Sequence, residues 1–135
     1  MVSHPLIALA LWLGFITSAQ GQAAVVVPAT TNQISVTGSV AAATRIVTGV
    51  AGKSIYITSV ALVPVATSVV TFTTGTGTNC GTNTANVTGA MTFTAGQTLI
   101  AGTGNGAIWV LPAGFDLCIT IATAVAPGSL AYSIF

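Results

Sequence analysis

The chain has 135 residues, enough for one domain, and is almost devoid of charge. Arg45, Lys53 and Asp116 are its ionic side chains, glutamate is absent, and the single histidine is His4. A formal net charge of +1 leaves no basic footprint for nucleic acid, so binding by phosphate neutralisation is not expected. At 53% hydrophobic residues the sequence is too apolar for a disordered chain. Its polar remainder is led by 22 threonines; threonine and valine are stiff at χ1 and suit pleated strands, which predicts an all-β protein. So few charges provide little repulsion between copies, and self-association is expected over a dilute monomer.

MVSHPLIALALWLGFITSAQGQAA opens with an apolar run from Leu6 to Ile16. The run is shorter than the ~20 residues that a spanning helix needs and fits the core of a secretory signal. Small residues behind it allow cleavage after Ala19 or Ala23. No Lys or Arg precedes the run, so an uncleaved anchor and an internal strand stand as alternatives. The expected organisation is a signal peptide over 1–23, an extended arm over 24–33 and a β-sandwich domain over 34–135. Pro28 confines the arm, AVVVPATTNQ, to an edge strand or a linker. The expected location is secreted, periplasmic or extracellular.

Beyond the arm, short β-forming runs alternate with breaks rich in Gly, Pro, Asn or Thr, the rhythm of a sandwich or barrel. Strands are predicted near 34–40, 43–49, 53–63, 68–74, 87–94, 97–102, 107–111, 117–123 and 129–135. In SIYITSVAL, Tyr56, Thr58, Val60 and Leu62 fall on one face, with Ile55 and Ile57 on the other. In LCITIAT, Leu117, Ile119 and Ile121 alternate with Cys118, Thr120 and Ala122, which puts the cysteine on the threonine side. Both patterns describe half-buried antiparallel strands. Glycines in 49–53 and 111–116 mark turns, and Asn105-Gly106 within 102–106 is a hairpin signal. The longest break, 75–86, is expected to be the exposed loop.

Cys80 and Cys118 form an even pair in a chain bound for an oxidising compartment, which predicts a disulfide. Closing a loop of about 39 residues stabilises the fold by roughly 4 kcal/mol on the chain-entropy account. Two cysteines without a histidine beside them make neither a zinc site nor a CxxC redox pair. Cys80 is therefore read as the pin that holds loop 75–86 to the strand of Cys118.

Catalytic chemistry finds few candidates. Asp116 is the sole acidic side chain, so a pair of carboxylates for glycoside hydrolysis is lacking. Loss of the signal removes His4 and with it any Ser-His-Asp set. Lys53 and Ser54 are neighbours on a strand and point apart; Lys53 reads as a solvated turn residue. The disulfide consumes both thiols. GTGTNCG and GTGNG lack the lysine and the following helix of a phosphate loop, and one carboxylate at Asp116 makes a weak calcium site. No enzyme activity, cofactor or metal is expected. The candidate binding positions are Thr76, Thr78, Asn79, Thr82, Asn83 and Asn105, whose hydroxyls and amides suit a sugar. Tyr56 and Trp109 are candidate stacking rings, although AIWVLP favours a core or sheet-face role for Trp109. Tyr132 and Phe135 read as parts of a closing strand. Arg45, Lys53 and Asp116 are candidates for an exposed ion pair, and Asn86-Val87-Thr88 matches the glycosylation acceptor of a eukaryotic host.

FTTGTGTNCGTNTANVTGAM, AGTGNGAIWVLPAGFDLCI and GSLAYSIF together resemble small, mostly uncharacterised β-rich proteins of bacteriophage and bacterial genomes. Those proteins share a GTGTNCG loop, a PAG-x-x-LC approach to a strand and a closing G-x-x-x-Y-x-x-F strand. The likeness covers roughly residues 45–135. It implies a virion-surface or extracellular structural part without a known catalytic role; the export-type N-terminus favours a secreted product. The expected fold is an antiparallel β-sandwich, jelly-roll-like, with one internal disulfide. The expected function is non-enzymatic: structural or assembly work through self-association or surface contact, with further copies of the chain as partners. A glycan- or cell-surface-binding module using the Thr/Asn/Gly-rich loops is the alternative.

Overall fold

Alternating apolar residues, most of them β-branched, fold into antiparallel strands in this computed structural model, which describes residues 32–37, 42–102, 106–123 and 126–135. The expected signal segment 1–23, the arm as far as residue 31, and Asn105 lie outside the described residues. The strands are β1 (Asn32–Val36), β2 (Thr44–Val47), β3 (Ile55–Leu62), β4 (Ser68–Thr76), β5 (Thr82–Asn86), β6 (Met91–Phe93), β7 (Leu99–Ala101), β8 (Trp109–Leu111), β9 (Asp116–Ile121) and β10 (Gly128–Ile134). A single 3₁₀ turn, Thr78–Cys80, separates β4 from β5. Asn32 and Gln33, at the end of the expected arm, belong to β1 because they pair with Tyr132 and Ala131 of β10.

Two five-stranded sheets result. The first runs β1-β10-β3-β7 with β8 also on β3; the second runs β2-β9-β4-β5 with β6 also on β4. Every pairing among the described residues is antiparallel. The chain is thus one long hairpin whose tip is the turn at 78–80. β1 pairs with β10, β2 with β9, β3 with β7 and β8, and β4 with β5 and β6. Rolling that ribbon brings β10 onto β3 and β9 onto β4. The tip is where the cysteine-bearing turn sits, so topology alone carries it back towards β9.

One core lies between the sheets. Ile55, Ile57, Val60, Leu62 and Leu130 of the first sheet meet Val70, Phe72, Leu117, Ile119 and Ile121 of the second, all buried. Trp109 is half-buried against this core, and its ring lies 5.1 Å from that of Phe72, tilted by 43°, which joins the sheets as the core reading of Trp109 expects. Burying each of these side chains contributes about 1.5–3 kcal/mol.

The expected division of SIYITSVAL into two faces is corrected by a β-bulge. Ala131 pairs with Ser59 and Tyr132 with Ile57, which leaves Thr58 as the extra residue. The bulge shifts the alternation by one, so Ile55 and Ile57 before it and Val60 and Leu62 after it all point into the core. Thr58 is buried and its Oγ1 donates to the carbonyl oxygen of Ala131 at 3.2 Å. Gly102 passes so close that an added Cβ would stand 2.1 Å from the Thr58 carbonyl oxygen, and its φ is +78°; a side chain there would force the strands apart. The hairpin expected at 102–106 is also corrected. β7 and β8 do not pair with each other but lie end to end along β3, opposite Val60–Leu62 and Ile55–Ile57. The open edge of β3 on either side of the bulge satisfies their amides instead.

Candidate functional site

Loop 75–86, expected to be an exposed connection, is largely ordered strand and turn. Its first two residues extend β4, and its last five form β5, all of them exposed. TNTAN has no apolar alternation, so pairing with β4 rather than burial sets its extended form: Thr73 opposes Asn86, Thr74 opposes Ala85 and Thr76 opposes Thr82. Between the strands the chain turns sharply. Gly77 has φ 76°, and Asn79, Cys80 and Asn83 are left-handed at 50°, 58° and 51°. Asparagine tolerates that region better than most residues. Cys80 is held there by its covalent partner.

The turn folds over the outer face of the second sheet. A row of neighbours crosses that face from Arg45 through Cys118 and Thr73 to Asn86. Cys118 faces the threonine side, as its alternation with Leu117 and Ile119 predicts. Cys80 and Cys118 are joined, with Cα atoms 6.2 Å apart, and both are buried. Gly75 makes room for the turn: a Cβ there would lie 2.8 Å from the carbonyl oxygen of Cys80 and 2.9 Å from its Cβ. Hydrogen bonds tie the turn down further. Thr84 Oγ1 donates to the Cys80 carbonyl, Thr76 Oγ1 donates to that of Thr82 at 3.3 Å, and the Arg45 N–H donates to Asn79 Oδ1 at 3.3 Å.

Of the charged trio, Arg45 and Asp116 come together and Lys53 stands in a turn, bridged to Val50. Arg45 Nη1 donates to Asp116 Oδ2 at 3.2 Å; the arginine side chain is 43% exposed and the aspartate 8%. Asp116 is buried rather than exposed, and its other oxygen accepts the Gly49 N–H at 2.7 Å. Thr74 Oγ1 donates to its backbone carbonyl at 3.0 Å. The carboxylate therefore ties β2, the 48–53 segment and β9 together. The ion pair was among the expected combinations of the three charges, but the burial of Asp116 and its bond to the Gly49 N–H, 67 positions away, left no local mark in the sequence. The row also holds one unsatisfied group: the buried Thr73 Oγ1 has no hydrogen-bond partner.

Thr78, Asn79, Thr82 and Asn83 are exposed and Thr76 is half-buried, so five of the candidate positions share the pinned tip. Tyr56 lies elsewhere, its ring 5.7 Å from that of Phe135. Phe135 follows β10 and exchanges backbone hydrogen bonds with Ser54 in both directions, and Tyr132 lies within β10, so both serve the closing strand. Trp109 is committed to the core. Among the described residues no group of three or more His, Cys, Asp or Glu side chains is placed to hold a metal, and no helix is long and apolar enough to cross a membrane. Comparison with protein-family models, curated proteins and solved structures gives no match to this chain.

Proposed function

We propose that this chain is a non-enzymatic structural subunit, exported and disulfide-pinned, that acts through contact with copies of itself or with a surface. One observation carries the reading: the exposed surface offers hydroxyls, amides and apolar side chains with almost no charge. Ile100, Val65 and Val110 are 67%, 63% and 58% exposed, whereas Asp116 is buried and neutralised by Arg45. Such a surface lacks the like-charge repulsion that keeps proteins apart, and its large exposed apolar residues gain by being covered. The paired cysteines fit a periplasmic or extracellular compartment. The rolled-hairpin strand order supports a jelly-roll sandwich, the architecture of many capsid and lectin domains, and the GTGTNCG resemblance supports a virion-surface or extracellular origin.

Electron microscopy of purified native material tests the reading. Dimers, or filaments, shells or rings built from them, are expected; uniform single domains would overturn it. A second reading rests on the pinned tip, where Thr78, Asn79, Thr82 and Asn83 are exposed on a backbone fixed by the disulfide. Fixed hydroxyl and amide groups suit a glycan, because little ordering remains to be done on binding. Glycan-array binding that is lost when 75–86 is shortened would favour it.

A further inference from the structure

The edges of the two sheets differ in how they are blunted. At the β2 edge the register shifts between Arg45 and Val47, and Arg45 adds a charge. At the β5 edge the register shifts between Thr74 and Thr76, and Asn83 is left-handed at φ 51°. β6, β7 and β8 are segments of three residues each. Bulges, charges and shortness are the devices by which proteins stop edges from pairing with other chains. Among the described residues β1 has none of them. Its five residues, NQISV, pair with β10 from Asn32 to Val36 in unbroken register, and contain neither proline nor an ionic group.

Resting on the self-association reading, we infer that β1 is the contact surface and that its partner is β1 of a second copy, paired antiparallel about a two-fold axis at Ile34. NQISV is self-complementary in that arrangement. Ile34 meets its own copy on the core side, where it is half-buried against the hydrophobic core; directly opposed side chains stand about 4.5–5.5 Å apart at Cβ. On the outer side the exposed Gln33 opposes Ser35, an amide against a hydroxyl. Asn32 opposes Val36. No like charges meet, roughly four to six backbone hydrogen bonds form, and the first sheet becomes continuous across both subunits. The symmetry is closed, as in most homodimers.

A charge-swap series tests this by light scattering of the purified native protein over a range of concentrations. Gln33→Lys/Ser35→Lys and Gln33→Glu/Ser35→Glu change exposed side chains only, and retention of β-sheet circular dichroism and of the disulfide shows each variant is folded. Each alone is expected to weaken association by about tenfold or more, because like charges then stand directly opposite across the axis. Mixing the two is expected to restore it as a heterodimer, and high salt to reduce both effects. A wild-type chain that stays monomeric throughout overturns the self-association reading and this interface with it. A wild-type oligomer unaffected by either variant overturns the interface alone.

Discussion

Replacing both cysteines, Cys80→Ala/Cys118→Ala, removes the tether across the hairpin tip, and its cost follows from the topology. The bonded residues are 38 positions apart, so the oxidised unfolded chain carries a closed loop of about 39 residues; freeing it raises unfolded-state entropy by roughly 13 cal/mol/K, or about 4 kcal/mol at room temperature. The folded state offers little relief, because the core behind Cys118 does not depend on the bond: Leu117, Ile119 and Ile121 point the other way, into the space between the sheets. Urea unfolding of oxidised wild type and variant, followed by tryptophan fluorescence at two well-separated protein concentrations, separates folding from association. The expected result is a loss of about 4 kcal/mol with a larger m-value, since an untethered unfolded chain exposes more surface. A loss under ~1 kcal/mol with unchanged m would refute the entropic reasoning.

Thr73→Val should stabilise the protein by roughly 1 kcal/mol in the same assay, because it replaces a buried hydroxyl that has no partner with a methyl of similar shape. Asp116→Ala should cost about 1.5–3 kcal/mol by removing the acceptor shared by Arg45 and the Gly49 N–H, whereas Asp116→Asn, which keeps one acceptor oxygen, should cost less; equal losses would show that the carboxylate is not what joins these segments. Gly75→Ala should cost about 1–3 kcal/mol, as its methyl would sit 2.8 Å from the Cys80 carbonyl oxygen, and should leave a larger share of reduced cysteine by thiol alkylation and intact mass.

The parts of this structure that were legible in the sequence are those set by local pattern. Leu117, Ile119 and Ile121 alternate over a stretch with no irregularity, so both their burial and the opposite facing of Cys118 follow from period two alone. The disulfide followed from counting cysteines against a compartment. The Thr58 bulge did not follow, because SIYITSVAL reads as smooth alternation and only the unequal pairing with β10 reveals the extra residue. β5 was hidden for the opposite reason: TNTAN has no apolar alternation to mark a face, and its strand form comes from β4. The local Asn-Gly signal lost to a non-local edge when β7 and β8 both paired with β3. At the candidate site, the exposed Thr and Asn positions were visible as composition, but the fixing of that tip by Arg45 and Asn79, and the joining of β2 to β9 by Arg45 and Asp116, depend on contacts between distant segments.

The most direct measurement is sedimentation velocity of the purified native protein, with the disulfide formed, over a concentration series at moderate salt. Species heavier than one chain, growing in share with concentration, are the expected result. A single species of one-chain mass at every concentration would contradict the claim that this nearly uncharged surface exists to be covered by a neighbour.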